Sequence, residues 1–104
     1  MKIPVRYIRC ADVGHRLLLE LEAIMAGRDL AGDATYDVHV YAIEAIPEVY
    51  EYYDVELLRD GLVHCTRVSY DYLSKIAYGV RGHAENLIYT ADREHAEHTA
   101  RGGS

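Results

Sequence analysis

Val55-Glu56-Leu57-Leu58-Arg59-Asp60-Gly61-Leu62-Val63-His64-Cys65-Thr66-Arg67 is the stretch on which the fold turns. Two strand-forming runs flank Asp-Gly, a dipeptide that tolerates the positive φ angles both central residues of a two-residue hairpin turn require. The spacing therefore predicts two antiparallel strands joined at Asp60-Gly61.

Working upstream, Pro47-Glu48-Val49-Tyr50-Glu51-Tyr52-Tyr53 is long enough for about two helical turns. Pro47 suits the first position, where a missing amide proton costs nothing. Tyr36 to Ile43 alternates Val38, Val40 and Ala42 against Asp37, His39 and Tyr41, the period of a strand. From Val13 to Ala26 the apolar residues recur at helical spacing. Leu17, Leu21 and Ile24 form one row and Leu18, Leu21 and Met25 the next. Asp12 is placed to cap this helix and Gly27 to end it. Leu19 widens the apolar arc beyond one contact face, so the C-terminal segment around Leu87 and Ile88, or a second subunit, is expected to cover the excess. Ile3 to Cys10 reads as a first strand.

Downstream, Ser69 caps a helix over Tyr70 to Tyr78 with Leu73, Ile76, Ala77 and Val80 as its buried stripe. His83 to His98 fits two readings. Leu87, Ile88 and Ala91 suit an amphipathic helix, whereas Asn86 to Thr90 suits an edge strand. Ala100 to Ser104 is expected to be a loose tail.

The order is thus strand, helix, strand, short helix, hairpin, helix. A helix joining two strands of one sheet implies a right-handed parallel crossover, so the first two strands are expected side by side and parallel. The result is an α/β domain with a four-stranded mixed sheet. Its βαβ-α-ββα order resembles the thioredoxin-like fold, over roughly residues 2–80 of a domain spanning 1–80. The match rests on element order and on Pro47-Glu48-Val49-Tyr50-Glu51-Tyr52-Tyr53 preceding Leu57-Leu58-Arg59-Asp60-Gly61-Leu62-Val63. Residues 81–99 then form a C-terminal helical or strand extension and 100–104 a flexible tail. A ferredoxin-like βαββαβ arrangement, with Asn86 to Thr90 as its last strand, is the alternative. Redox members of the thioredoxin-like group carry Cys-x-x-Cys at the first helix and a cis-proline before the third strand. Here those places read Asp12-Val13-Gly14-His15 and Asp54-Val55-Glu56. The resemblance implies the scaffold without the catalysis, as in cysteine-free members that act through protein contacts. It also puts Arg6 in a central strand, where Glu56 is the partner that could neutralise it.

Composition narrows the function classes. The chain has 104 residues and a formal net charge of −6, the wrong sign for binding phosphate backbones, so nucleic acid is not an expected partner. No apolar run reaches the eighteen or so residues of a membrane span, and Met1-Lys2-Ile3-Pro4 does not open a signal peptide. Two cysteines build neither a disulfide framework nor a four-thiolate zinc site. A cytoplasmic protein without a cofactor is expected.

Four constellations remain. Cys10, near the positive end of the first helix, is the weak catalytic candidate and the basis of an alternative thiol-dependent redox reading. A bond between it and Cys65 is not expected, because their strands are not neighbours. His95 and His98, three apart with Glu94 and Glu97 beside them, are weak metal-ligand candidates, but no third ligand is identifiable. Asp12 and His15 read as a cap and a first-turn surface residue. The aromatic set is the most unusual: ten tyrosines, no phenylalanine and no tryptophan. Tyr50, Tyr52, Tyr53, Tyr70 and Tyr72 crowd two short predicted helices. Tyrosine gives large contact area at modest entropy cost and is enriched in interfaces. These five are the candidate interface of a small protein–protein interaction or assembly module. A second copy of the chain is the first expected partner, closed pairs being the commonest oligomers.

Overall fold

The Asp60-Gly61 hairpin forms as expected: Arg59 faces Leu62 across the turn, with φ of 49° at Asp60 and 84° at Gly61. Asp60 also does more than turn the chain. Its amide donates to the Thr35 carbonyl at 2.8 Å, and its Oδ1 accepts from the Thr35 amide at 3.0 Å. The hairpin tip is thereby tied to the start of the preceding strand. Gly61→Ala puts a Cβ on a left-handed residue and is expected to cost about 1–2 kcal/mol, read as a lower midpoint in urea unfolding.

The computed structural model describes residues 1–8, 13–31, 34–47, 49–76 and 79–101. Its elements are β1 (Lys2–Pro4), a 3-10 turn (Val5–Tyr7), α1 (Val13–Ala31), β2 (Tyr36–Ile46), β3 (Val49–Arg59), β4 (Leu62–Ser69), α2 (Tyr70–Lys75) and α3 (Gly79–Ala100). The four strands form one sheet in the order β1-β2-β3-β4. Every neighbouring pair is antiparallel.

The α/β class holds, but the arrangement departs from the expected one in several places. The sheet is antiparallel throughout, not mixed, so no parallel crossover joins the first two strands. The chain's order is β-α-β-β-β-α-α, in place of the thioredoxin-like βαβ-α-ββα. The first strand stops at Pro4, which lacks a ladder donor and belongs at a strand end or sheet edge. A strand of three residues at the edge leaves Arg6 exposed in the 3-10 turn, 3.8 Å from Glu22 of α1. Glu56 instead accepts from Lys2 Nζ at 3.2 Å. The expected helix at Pro47 to Tyr53 is the first half of β3. Val49, Tyr50, Tyr52, Tyr53 and Val55 are β-branched or aromatic, and pairing along β2 decides their conformation. Pro47 therefore sits in a strand-to-strand turn. Asn86 to Thr90 lie within α3, which removes the ferredoxin-like alternative. Helix α1 runs through Gly27 to Ala31, since an exposed glycine inside a helix costs only about 1 kcal/mol.

One sheet face carries the core and the other is open. Tyr36, Val38, Val40 and Ala42 of β2 and Tyr53, Val55 and Leu57 of β3 are buried on the helix side. From α1 come Leu17, Leu18, Leu21 and Met25, and from α3 Val80, Ala84, Ile88 and Ala91. Helix α3 packs beside α1, but Leu19, the residue that widens the apolar arc, stays exposed, so the cover expected for that excess is not provided by α3. Arg81 pairs with Glu20 at 3.0 Å and Arg28 with Asp92 at 2.9 Å. Those two bonds set α1 and α3 side by side in the same direction. The open face is polar, as a one-sided antiparallel sheet allows. There Arg67 grips Asp54 through two bonds of 2.7 and 3.2 Å, and Lys2 Nζ lies 4.6 Å from the centre of the Tyr41 ring.

Candidate functional site

Two concavities carry the side chains of interest, and both arise from how the sheet ends. The first lies where β4 stops short of β3. The β3–β4 ladder closes with Tyr52 opposite Ser69. At Ser69 the chain leaves the sheet: its Oγ accepts from the Tyr72 amide at 3.0 Å and caps α2. Residues 49–51 of β3 therefore run on past the last residue of β4, and no strand among the described residues pairs with their outer edge. Register shifts around Glu44 break the alternation at this end of the β2–β3 pair, a device that re-aims side chains. The resulting groove of about 590 Å³ is lined by Val49, Tyr50, Glu51, Tyr52, Tyr53, Ser69, Tyr70 and Asp71.

Four of the five tyrosines expected to act together thus meet in one place. Tyr52 and Tyr70 are about half exposed. Tyr53 is fully buried and belongs to the core as much as to the groove. Its ring fits over Gly14 of α1, where an added Cβ would fall within 2.9 Å of ring carbons. Tyr72 is the exception. It lines the second concavity, with its ring edge-on to His83 at 5.6 Å between centroids. The groove's charged lining residues are Glu51 and Asp71, and no basic residue is among them. Lys75 reaches Asp71 at 2.8 Å from the next turn, but both side chains are largely exposed and such a pair binds weakly.

The second concavity, a cleft of about 370 Å³, lies between α3 and the β3–β4 end of the sheet. Val55, Leu57, Leu87 and Ala91 give it apolar walls, and His64, His83, Thr66, Asn86 and Thr90 supply polar groups. His64 occupies an inward-facing position of β4, opposite Leu57. Its Nδ1 lies 2.6 Å from Glu94 Oε2 on α3. Burial pushes the His83 imidazole below its ordinary pKa, so it is neutral at pH 7. In both rings Nε2 is shut off from solvent with no hydrogen-bond partner among the described residues. Sequence reasoning missed this pair. The signal was present: a histidine at the inward parity of a β4 strand whose neighbours across the ladder are apolar.

A third cluster is structural. Asp92 of α3 accepts from Arg28 Nη1 at 2.9 Å, Arg59 Nε at 2.7 Å and the Tyr36 hydroxyl at 2.5 Å, joining α1, β2, β3 and α3. Partial burial pushes the Asp92 carboxyl up, but the Tyr36 hydroxyl and the two guanidinium groups outweigh it and hold the pKa below the usual range.

The other sequence candidates do not come together. His95 approaches Asp60 Oδ2 at 3.7 Å, His98 is exposed near the end of α3, and no group of three or more metal-ligating side chains forms among the described residues. Cys10 and Asp12 lie outside the described residues, and Cys65 is an exposed free thiol on β4. No described helix is long and apolar enough to cross a membrane. Compared with protein families, curated proteins and solved structures, the chain has no match.

Proposed function

We propose that the protein is a non-catalytic, cytoplasmic protein–protein interaction module whose contact site is the tyrosine groove. The carrying observation is the meeting of Tyr50, Tyr52, Tyr53 and Tyr70 in one groove, where β3 runs on past the last residue of β4. An exposed strand edge offers main-chain hydrogen bonds to an added extended segment, and flanking pockets select its side chains. The lining selects for a cation. Tyrosine faces attract guanidinium and ammonium groups, and the two lining carboxylates attract them further. The occupant that fits is an extended peptide segment of a partner protein carrying arginine or lysine. A second copy of the chain fits less well, because Glu51 and Asp71 would approach like charges on an already acidic chain.

A titration with acetyl-Val-Arg-Val-Arg-Val-amide, followed by amide chemical shifts, tests this. Saturable shifts are expected in residues 49–53 and 69–71, weakening with added salt. Tyr52→Ala is expected to reduce the affinity at least about tenfold, as for a central aromatic anchor. Replacing both arginines of the peptide by glutamate should abolish binding. Absence of saturable shifts would overturn the reading. So would a concentration-dependent dimer in light scattering that Tyr70→Ala dissolves, because it would assign the groove to self-association.

A further inference from the structure

We propose that the cleft between α3 and β4 is a binding site for a small uncharged organic molecule that donates an O–H or N–H hydrogen bond to His64. The site is separate from the tyrosine groove and shares no lining residue with it.

A carboxylate can only accept, so the 2.6 Å contact with Glu94 Oε2 places a proton on His64 Nδ1. In the neutral ring, Nε2 then carries a bare lone pair and can only accept. Carboxylate-oriented imidazoles of this kind are the usual way to present a fixed Nε2 to a ligand. That nitrogen is buried and has no partner among the described residues. Folding does not leave a buried acceptor empty without cost, so such atoms call for a partner. His83 Nε2, lining the same cleft, repeats the observation independently.

Charge and geometry then select the ligand class. An anion would meet Glu94 at one end and a neutral His83 at the other. A cation would find as its carboxylate Glu94, already engaged by His64. An uncharged molecule is what remains. His83 and Glu94 are both on α3, and eleven residues of helix separate their Cα atoms by about 16 Å. His64 at the Glu94 end and His83 at the Tyr72 end therefore flank an elongated slot and do not converge on one metal ion. The volume of about 370 Å³ suits a small molecule. Val55, Leu57 and Leu87 would contact its apolar body, with the Thr66 and Thr90 hydroxyls as further polar contacts.

Phenol is the test probe, with toluene lacking the donor and benzoate adding the charge. The readout is the imidazole nitrogen spectrum of the intact protein at neutral pH. Phenol is expected to bind saturably and move the His64 Nε2 resonance upfield, as when a bare nitrogen accepts a hydrogen bond. Toluene and benzoate should each bind roughly tenfold more weakly, the loss expected for one hydrogen bond. His64→Leu, which removes the acceptor, should erase the preference for phenol over toluene. If that variant unfolds, Glu94→Gln, which frees the tautomer, should reduce the same preference. Tyr52→Ala should leave phenol binding unchanged, separating this site from the groove. Failure to saturate, or equal affinity for phenol and toluene, would overturn the proposal.

Discussion

Gly14→Ala is expected to lower the stability of the domain by about 3 kcal/mol, the upper range for forcing atoms into a packed core. The added methyl would meet the Tyr53 ring, not solvent, because that ring is fully buried between α1 and the sheet. Neither side can yield easily. Tyr53 is held in the β3 ladder opposite Ala42 and Val68, and α1 is fixed by the row through Leu17 and Leu21. The diagnostic is a double-mutant cycle in urea. In a Tyr53→Leu background the obstacle is gone, while alanine remains the better helix former by up to about 1 kcal/mol. Gly14→Ala should then be neutral or slightly stabilising. A cost that persists unchanged in that background would show that Gly14 is needed for some reason other than the ring.

Asp92→Ala carries the second large effect. It removes the one acceptor shared by Arg28, Arg59 and Tyr36. Hydrogen bonds to a charged group contribute about 1.5–3 kcal/mol each when buried, but this site is partly exposed, so about 2 kcal/mol is expected in total. For a domain of this size that lowers Tm by roughly 10 °C. The pH dependence has a definite sign. The folded-state pKa of Asp92 is depressed, so its stabilisation is complete above the unfolded carboxylate value near 4 and is lost as pH falls through the folded value. Asp54, lowered mainly by its Arg67 hydrogen bonds, adds in the same direction. Thermal melts of the parent should decline below about pH 4, and those of Asp92→Ala less steeply. Parallel declines would deny Asp92 this role.

What could be read from the chain alone follows how local each signal was. Asp60-Gly61 specifies its turn within two residues, and the α1 leucine spacing specifies its helix within four, so both emerged. The β3 segment failed because Pro47 and Glu48 imitate a helix start, while the pairing of Val49 to Tyr53 with β2 is a non-local fact. The parallel crossover failed for a similar reason. The rule presumes two full strands, and Pro4 ends β1 after three residues. For the sites, tyrosine abundance pointed to Tyr50, Tyr52, Tyr53 and Tyr70, which line one groove, yet that convergence depends on where β4 ends and on the register shifts at Glu44. His64 was legible only as a polar residue at an inward parity, and its partner Glu94 comes from a helix dozens of residues away.

The pairing of α1 with α3 also bears on how the chain is made. Synthesis is vectorial, and domains fold largely as units as they leave the ribosome. Leu17, Leu21 and Met25 emerge early, but the Val80–Ala91 stripe that covers them is translated only after the whole sheet. The side of that leucine row that faces α3 therefore stays uncovered while the sheet is being made. Until α3 clears the exit tunnel, that side of the row has no cover within the chain.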